Sequence, residues 1–122
     1  MVLRANPNRL RVHQLASDVA ADSVFLARTF KGPAALKRGD QLVRAAISIS
    51  SNIAEACGRG TVREFRQFLL YARGSAQECL SQLRTARRID STRSEDIARL
   101  ESKTVVIVKM LGKLYLNPPP SR

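Results

Sequence analysis

The sequence predicts an all-α protein, an antiparallel up-down-up-down four-helix bundle, and three observations predict it. Apolar residues recur at the three- and four-residue spacing of a helix face, with no alternating run that would suit a strand. Glycine and proline fall in short interruptions that divide the chain into four amphipathic stretches of similar length. The third is the length itself, since 122 residues make one domain with no room for a second. The expected organisation is an N-terminal segment at 1–9, a bundle at 10–116 with helices at about 10–30, 36–57, 61–89 and 93–116, and a Pro-rich tail at 117–122.

The first helix carries Val12, Leu15, Val19, Leu26 and Phe30 on one face. Lys31-Gly32-Pro33 interrupts it, and Leu42, Ala45, Ala46, Ile49, Ile53 and Ala56 form a second stripe that stops at Cys57-Gly58, glycine being a natural helix terminator. Thr61 and Glu64 have capping-box spacing, so a third helix starts there with free backbone N–H groups satisfied by side chains. Its stripe is Phe65, Phe68, Leu69, Ala72, Ala76, Cys79, Leu83 and Ala86. Gly74, inside that helix, fits either a close backbone approach or a merely tolerated glycine. Ser91 or Thr92, with Glu95 and Asp96 in the first turn, starts a fourth helix seamed by Ile97, Leu100, Thr104, Ile107, Leu111 and Leu114. Short connectors make successive helices antiparallel, and four such stripes close around one core.

Two helices are apolar over more than their seams. Val105, Val106, Met110 and Leu116 lie outside the stripe of the fourth helix, and Val43, Ile47 and Ala54 form a secondary stripe on the second, about 100° from its core face. Either these widen the intrachain core or they meet another subunit. A homo-oligomer using Val43, Ile47, Ala54, Val106 and Met110 is the expectation.

Composition narrows the function classes. Lys and Arg number 21 against 10 Asp and Glu, a net charge of +11, which implies attraction to polyanions. At 44% hydrophobic residues the chain is globular rather than a disordered basic tail, but aromatics are only 5%, so the core must be aliphatic and Ala-rich. No apolar stretch approaches the roughly 18 residues that span a bilayer, and the first residues have no apolar leader region, so a cytoplasmic protein without membrane contact is expected. Cys57 and Cys79 read as reduced, small buried hydrophobes. His13 is the sole histidine and no Cys-x-x-Cys accompanies it, so neither a metal nor any cofactor is expected.

The charges of the third helix are sorted. With the apolar stripe centred near about 180°, Arg63, Arg66, Arg73, Arg84, Arg87 and Arg88 fall within about 240° to 360°, while Glu64 and Glu78 take the opposite flank. Arginines spread over about 37 Å can meet several phosphates of a nucleic-acid backbone, each contact releasing condensed counterions. Against this, arginines on a bundle surface are often solvated or paired. Phe25, Phe30, Phe65, Phe68 and Tyr71 are placed on or near core faces, leaving Tyr115 as the one other aromatic, so phosphate contacts rather than base stacking would dominate.

The second helix carries a polar ridge, Arg44, Ser48, Asn52 and Glu55, whose spacings keep all four on one face. Arg44 and Arg59 are positioned to neutralise Glu55, a pairing that would fix register at a subunit contact. The ridge lacks a base poised near neutrality, a nucleophile paired to one and a second carboxylate near Glu55, so no enzyme is expected.

The run Gln41-Leu42-Val43-Arg44-Ala45-Ala46-Ile47-Ser48-Ile49-Ser50-Ser51-Asn52-Ile53-Ala54-Glu55-Ala56-Cys57-Gly58-Arg59-Gly60, followed by Glu64-Phe65, Phe68-Leu69, Ala72, Gly74-Ser75 and Glu78, resembles a known family. It is similar to the bacterial four-helix-bundle proteins related to those encoded by intervening sequences of large-subunit ribosomal RNA genes. Their pattern is roughly Q-x-R-R-A-x-x-S-I-P-x-N-I-A-E-G-x-x-R, then E-F, F-L, A and G-S-x-x-E. The likeness covers about residues 30 to 89 without a gap. This chain departs from it with Val43 for Arg, Ser50 for Pro, Ala56 for Gly and Lys31 where Pro commonly follows Phe30.

The resemblance implies an antiparallel bundle assembled as a ring, usually a homopentamer. It also implies kinship with accessory proteins of diversity-generating retroelements, which bind nucleic acid and a reverse transcriptase. It supplies no settled biochemical activity, and Val43 removes one charge that a nucleic-acid role could have used. Two expectations follow. One is a basic oligomer that binds RNA through the arginine flank of the third helix; the other is a scaffold that binds a protein partner such as a reverse transcriptase.

Overall fold

Helical periodicity ends wherever the backbone must turn, and the positions of those turns set the register of the bundle. The computed structural model describes residues 10–119. Its elements are α1 (Arg11–Ala27), α2 (Ala35–Cys57), α3 (Val62–Ile89), a short 3₁₀ turn (Ser91–Arg93) and α4 (Ser94–Leu116). The N-terminal segment 1–9 and the last three residues of the tail lie outside the described residues; Asn117 accepts the end of α4, its backbone and side-chain N–H groups both donating to the Lys113 carbonyl.

Each helix packs on its neighbours in chain order, α1 on α2, α2 on α3, α3 on α4 and α4 on α1, with no close backbone approach across the diagonals among the described residues. Contacts between opposite ends show the antiparallel sense. Gly39 at the start of α2 meets Ala27 at the end of α1, Gln82 late in α3 donates to Gln41 early in α2, and Arg66 early in α3 donates to the Tyr115 carbonyl at the end of α4. Lys103 of α4 reaches Asp22 of α1 at 3.2 Å and closes the square.

α1 ends three residues before the expected Phe30. The Thr29 amide and hydroxyl both donate to the Leu26 carbonyl, at 2.9 and 2.7 Å, and turn the chain out of the helix. The loop that follows needs left-handed backbone at Gly32 and at Ala34. Arg38 fastens it by donating to the Pro33 and Lys31 carbonyls at 2.8 and 2.7 Å. At α3 the capping residue is Thr61, whose Oγ1 accepts from the Glu64 amide at 3.1 Å. The reciprocal arm differs from a full capping box, because the Thr61 hydroxyl donates to Glu64 Oε1 rather than the carboxylate reaching the Thr61 backbone. Asp90, not Ser91 or Thr92, caps the next turn, accepting from the Thr92 amide and hydroxyl at 2.9 and 2.7 Å.

The core is aliphatic, as an aromatic-poor chain requires. All six stripe residues expected of α2 are buried, together with Phe65, Leu69, Leu83, Ile97, Ile107 and Leu111. On α1 the buried row is Val12, Ala16, Val19, Ser23 and Leu26, with Leu15 and Phe30 only half-buried beside it. Small residues there let α1 sit close to its neighbours, most tightly at Gly39, where an added Cβ would lie 3.3 Å from the Ala27 Cβ. That is the close approach a glycine permits here. Gly74 has nothing within 4 Å of such a Cβ and is simply tolerated.

Two aromatic placements are corrected. Phe25 is 64% exposed and Tyr71 49%, because each sits one helical step beyond the buried row rather than in it. Arginines cover four of the six rings: Arg28 lies over Phe25, Arg38 over Phe30, Arg59 over Phe68 and Arg66 over Tyr115, at 4.3 to 5.4 Å from the centroids.

Candidate nucleic-acid interface

α3 is the longest helix, and its buried row leaves two flanks. The flank toward α2 holds Phe68, Ser75 and Gln82; the flank toward α4 holds the six arginines. The α2-side flank is closed by hydrogen bonds. Ser75 Oγ donates to Ser48 Oγ at 3.0 Å, and Asn52 Nδ2 donates to both the hydroxyl and the carbonyl of Ser48. Glu55 pairs with Arg59 at 2.9 Å, and Arg59 also lies 4.3 Å above the Phe68 ring, which meets Tyr71 edge-on. Arg44 does not share in neutralising Glu55; it is exposed and has no partner among the described residues. The ridge thus aligns α2 with α3, and Arg44, about three turns or 16 Å along the helix from Glu55, is out of its reach.

The arginines of the α4-side flank divide into two sets. Arg66 donates from Nε to the Tyr115 carbonyl at 2.8 Å while stacking on that ring, and Arg87 pairs with Glu101 at 3.3 Å. Glu101 is the more enclosed partner, its side chain 14% exposed and its second carboxylate oxygen buried without a hydrogen bond among the described residues. Both arginines hold α3 to α4. Arg63, Arg73, Arg84 and Arg88 are exposed, with no hydrogen bond, ion pair or ring contact among the described residues. They form an open cationic row about 37 Å long at 1.5 Å per residue. The sequence places all six on one flank but does not divide them, since the partners of Arg66 and Arg87 belong to another helix.

Between these arginines α3 and α4 leave a cleft of about 390 Å³ lined by Leu69, Leu70, Arg73, Leu111, Gly112, Tyr115 and Leu116. Of the residues expected at a subunit contact, Ile47 and Val106 are nearly half exposed, and Val43, Ala54 and Met110 are half-buried. Leu36, at 89% exposed, continues the α2 stripe. Met110 shares a cleft with Leu10, Arg11 and Val12, placing it toward α1.

The cysteines are enclosed thiols. Burial pushes Cys57 up, and burial, opposed by a hydrogen bond with Thr104 and aided by Glu78, pushes Cys79 up to about 11. Among the described residues no three His, Cys, Asp or Glu side chains converge on a metal-sized site, and no helix is long and apolar enough to cross a membrane.

An antiparallel four-helix bundle with one closed polar face and one open cationic face defines a small all-helical protein. The chain belongs to the 23S rRNA-intervening sequence protein family, whose model matches residues 8–113. A solved structure shares the fold: a protein of unknown function from the S23 ribosomal protein family of Bacteroides thetaiotaomicron, 22% identical, with a TM-score of 0.74 over 85% of this chain and 97% of that one. No curated protein sequence matches the chain.

Proposed function

We propose that this protein is a non-enzymatic, RNA-binding homo-oligomer of the cytoplasm, and that the open arginine row of α3 is its RNA-contacting surface. The observation that carries the reading is that Arg63, Arg73, Arg84 and Arg88 share one flank, exposed and unpaired among the described residues, on a chain of charge +11. Such a row suits the evenly spaced single charges of a phosphodiester backbone and discriminates little between sequences. Arg66 and Arg87, being engaged with α4, contribute mainly by holding the surface in place.

Self-assembly would use Val43, Ile47 and Ala54 of α2, extended by Leu36, and Val106 and Met110 of α4. These stripes lie on different sides of the bundle, as a closed head-to-tail ring requires, and the family resemblance favours five subunits. Repetition of the arginine row around a ring would multiply a weak contact through avidity. Fluorescence anisotropy with a labelled single-stranded RNA tests the reading. Wild type should bind with affinity that falls steeply between 50 and 200 mM salt, a range set by counterion release. Arg73→Glu with Arg84→Glu should remove about a hundredfold of that affinity without loss of helicity. Unchanged binding by that double variant overturns the assignment.

The apolar cleft between α3 and α4 favours a second reading, a scaffold that binds a protein partner such as a reverse transcriptase. A stoichiometric protein partner that displaces RNA from wild type, and is itself lost on Leu70→Glu, would place that reading first.

A further inference from the structure

A second concentration of positive charge lies away from the α3 row, at the end of the bundle where the α1–α2 and α3–α4 loops meet. Arg28, Thr29 and Lys31 from one loop and Thr92 and Arg93 from the other line a cleft of about 580 Å³ with no carboxylate in its wall. Its three cations are weakly committed. Arg28 stacks on Phe25 at 5.4 Å, Arg93 reaches half-exposed Asp96 only at 3.8 Å, and the ammonium of exposed Lys31 makes no hydrogen bond or ion pair among the described residues. Asp90, which lines an adjoining cleft with Thr29, Lys31 and Arg93, is occupied by the Thr92 amide and hydroxyl. Those hydrogen bonds, with smaller help from Lys31 and Arg93, hold its carboxyl below the usual range.

The cleft is built in advance of any ligand. Arg38 clamps the Lys31 and Pro33 carbonyls, Gly32 supplies the left-handed turn, and Thr29 ends α1 with its hydroxyl fixed on Leu26. Like charges held around one volume repel, and the repulsion is relieved by an anion placed among them. The arrangement of charge distinguishes this place from α3. There the unpaired arginines follow one another in a line, suiting singly charged diesters one at a time. Here three basic residues line one cleft, which suits a group that concentrates close to two negative charges and three acceptor oxygens on one phosphorus.

We propose that the cleft formed by Arg28, Lys31 and Arg93 binds a phosphate monoester, carried either on the terminus of an RNA or on a small metabolite. The proposal stands independently of the α3 row. The test is isothermal titration of the full chain, at fixed ionic strength, with phenyl phosphate as monoester and dimethyl phosphate as diester. Phenyl phosphate should bind saturably and about tenfold or more tighter than dimethyl phosphate, a difference expected from one added charge on charge-assisted hydrogen bonds. Lys31→Glu, at an exposed loop position, should abolish that preference, whereas Arg73→Glu with Arg84→Glu should leave it intact. The source is read with one RNA oligomer bearing either a 5′-phosphate or a 5′-hydroxyl. Tighter binding of the phosphorylated form, lost in Lys31→Glu, assigns the RNA terminus; monoester binding without that advantage assigns a small molecule. Equal affinity for the two esters, or a monoester affinity that Lys31→Glu leaves unchanged, overturns the proposal.

Discussion

The two flanks of α3 use their side chains differently. Toward α2, Ser75, Gln82 and Phe68 each meet a partner on or just after the neighbouring helix, so that surface sets the register of the bundle. Toward α4, two arginines meet partners and four do not. An intramolecular pair fixes geometry at the cost of side-chain freedom, and an unpaired exposed arginine keeps its hydrogen-bond donors available to a ligand. The difference separates residues that build the fold from residues free to act outside it. Arg44, open on the otherwise closed side, is the one place where the separation blurs.

Substitutions can probe that boundary. The largest stability effect is expected at Arg87→Ala, which leaves the enclosed Glu101 carboxylate without its ion pair; a loss of about 1–3 kcal/mol in urea unfolding follows from stranding a mostly buried charge. RNA affinity should fall far less than in the Arg73 and Arg84 variants, marking Arg87 as structural although it shares their flank. Ser48→Ala removes the acceptor and hub of the α2–α3 network, at a cost of about 1 kcal/mol, and RNA binding measured by anisotropy should not change. The smallest effect lies between the flanks. Gly74→Ala adds a methyl to open space on an exposed helix position, so thermal denaturation should show a gain of about 0.5–1 kcal/mol. A loss there would mean that this strip of α3 is covered by another molecule.

How much of this is visible in the sequence follows from the range of each interaction. The capping residue Thr61, the stop at Gly58 and the buried row of α2 depend on spacings within one or two turns, so periodicity and local chemistry reveal them. The end of α1 was less legible, because Thr29 bonds back to Leu26 through its hydroxyl while the apolar Phe30 extends the pattern past the true terminus. Asp90 does not stand out in the sequence as a cap because Ser91 and Thr92, equally good capping types, stand beside it. Phe25 and Tyr71 show the limit of hydrophobicity as a guide, since an angular step of about 100° moves a ring from core to surface. The division of the arginines was the least legible of all. Arg66 finds its acceptor 49 residues away, on a helix whose placement no local spacing encodes. The candidate site is therefore visible in the sequence as a flank, and its unpaired part is visible only with the neighbouring helix in place.

The most direct measurement of the difference between the flanks is the salt dependence of RNA affinity for three proteins: wild type, Arg63→Gln with Arg73→Gln, Arg84→Gln and Arg88→Gln, and Arg59→Gln alone. If the open row makes the phosphate contacts, the quadruple variant should lose about 2–3 from the slope of log affinity against log salt, at roughly 0.7 per single-stranded phosphate contact. Arg59→Gln, whose charge is already balanced by Glu55, should keep the wild-type slope. Equal slopes for wild type and the quadruple variant would contradict the assignment of the open arginines to RNA.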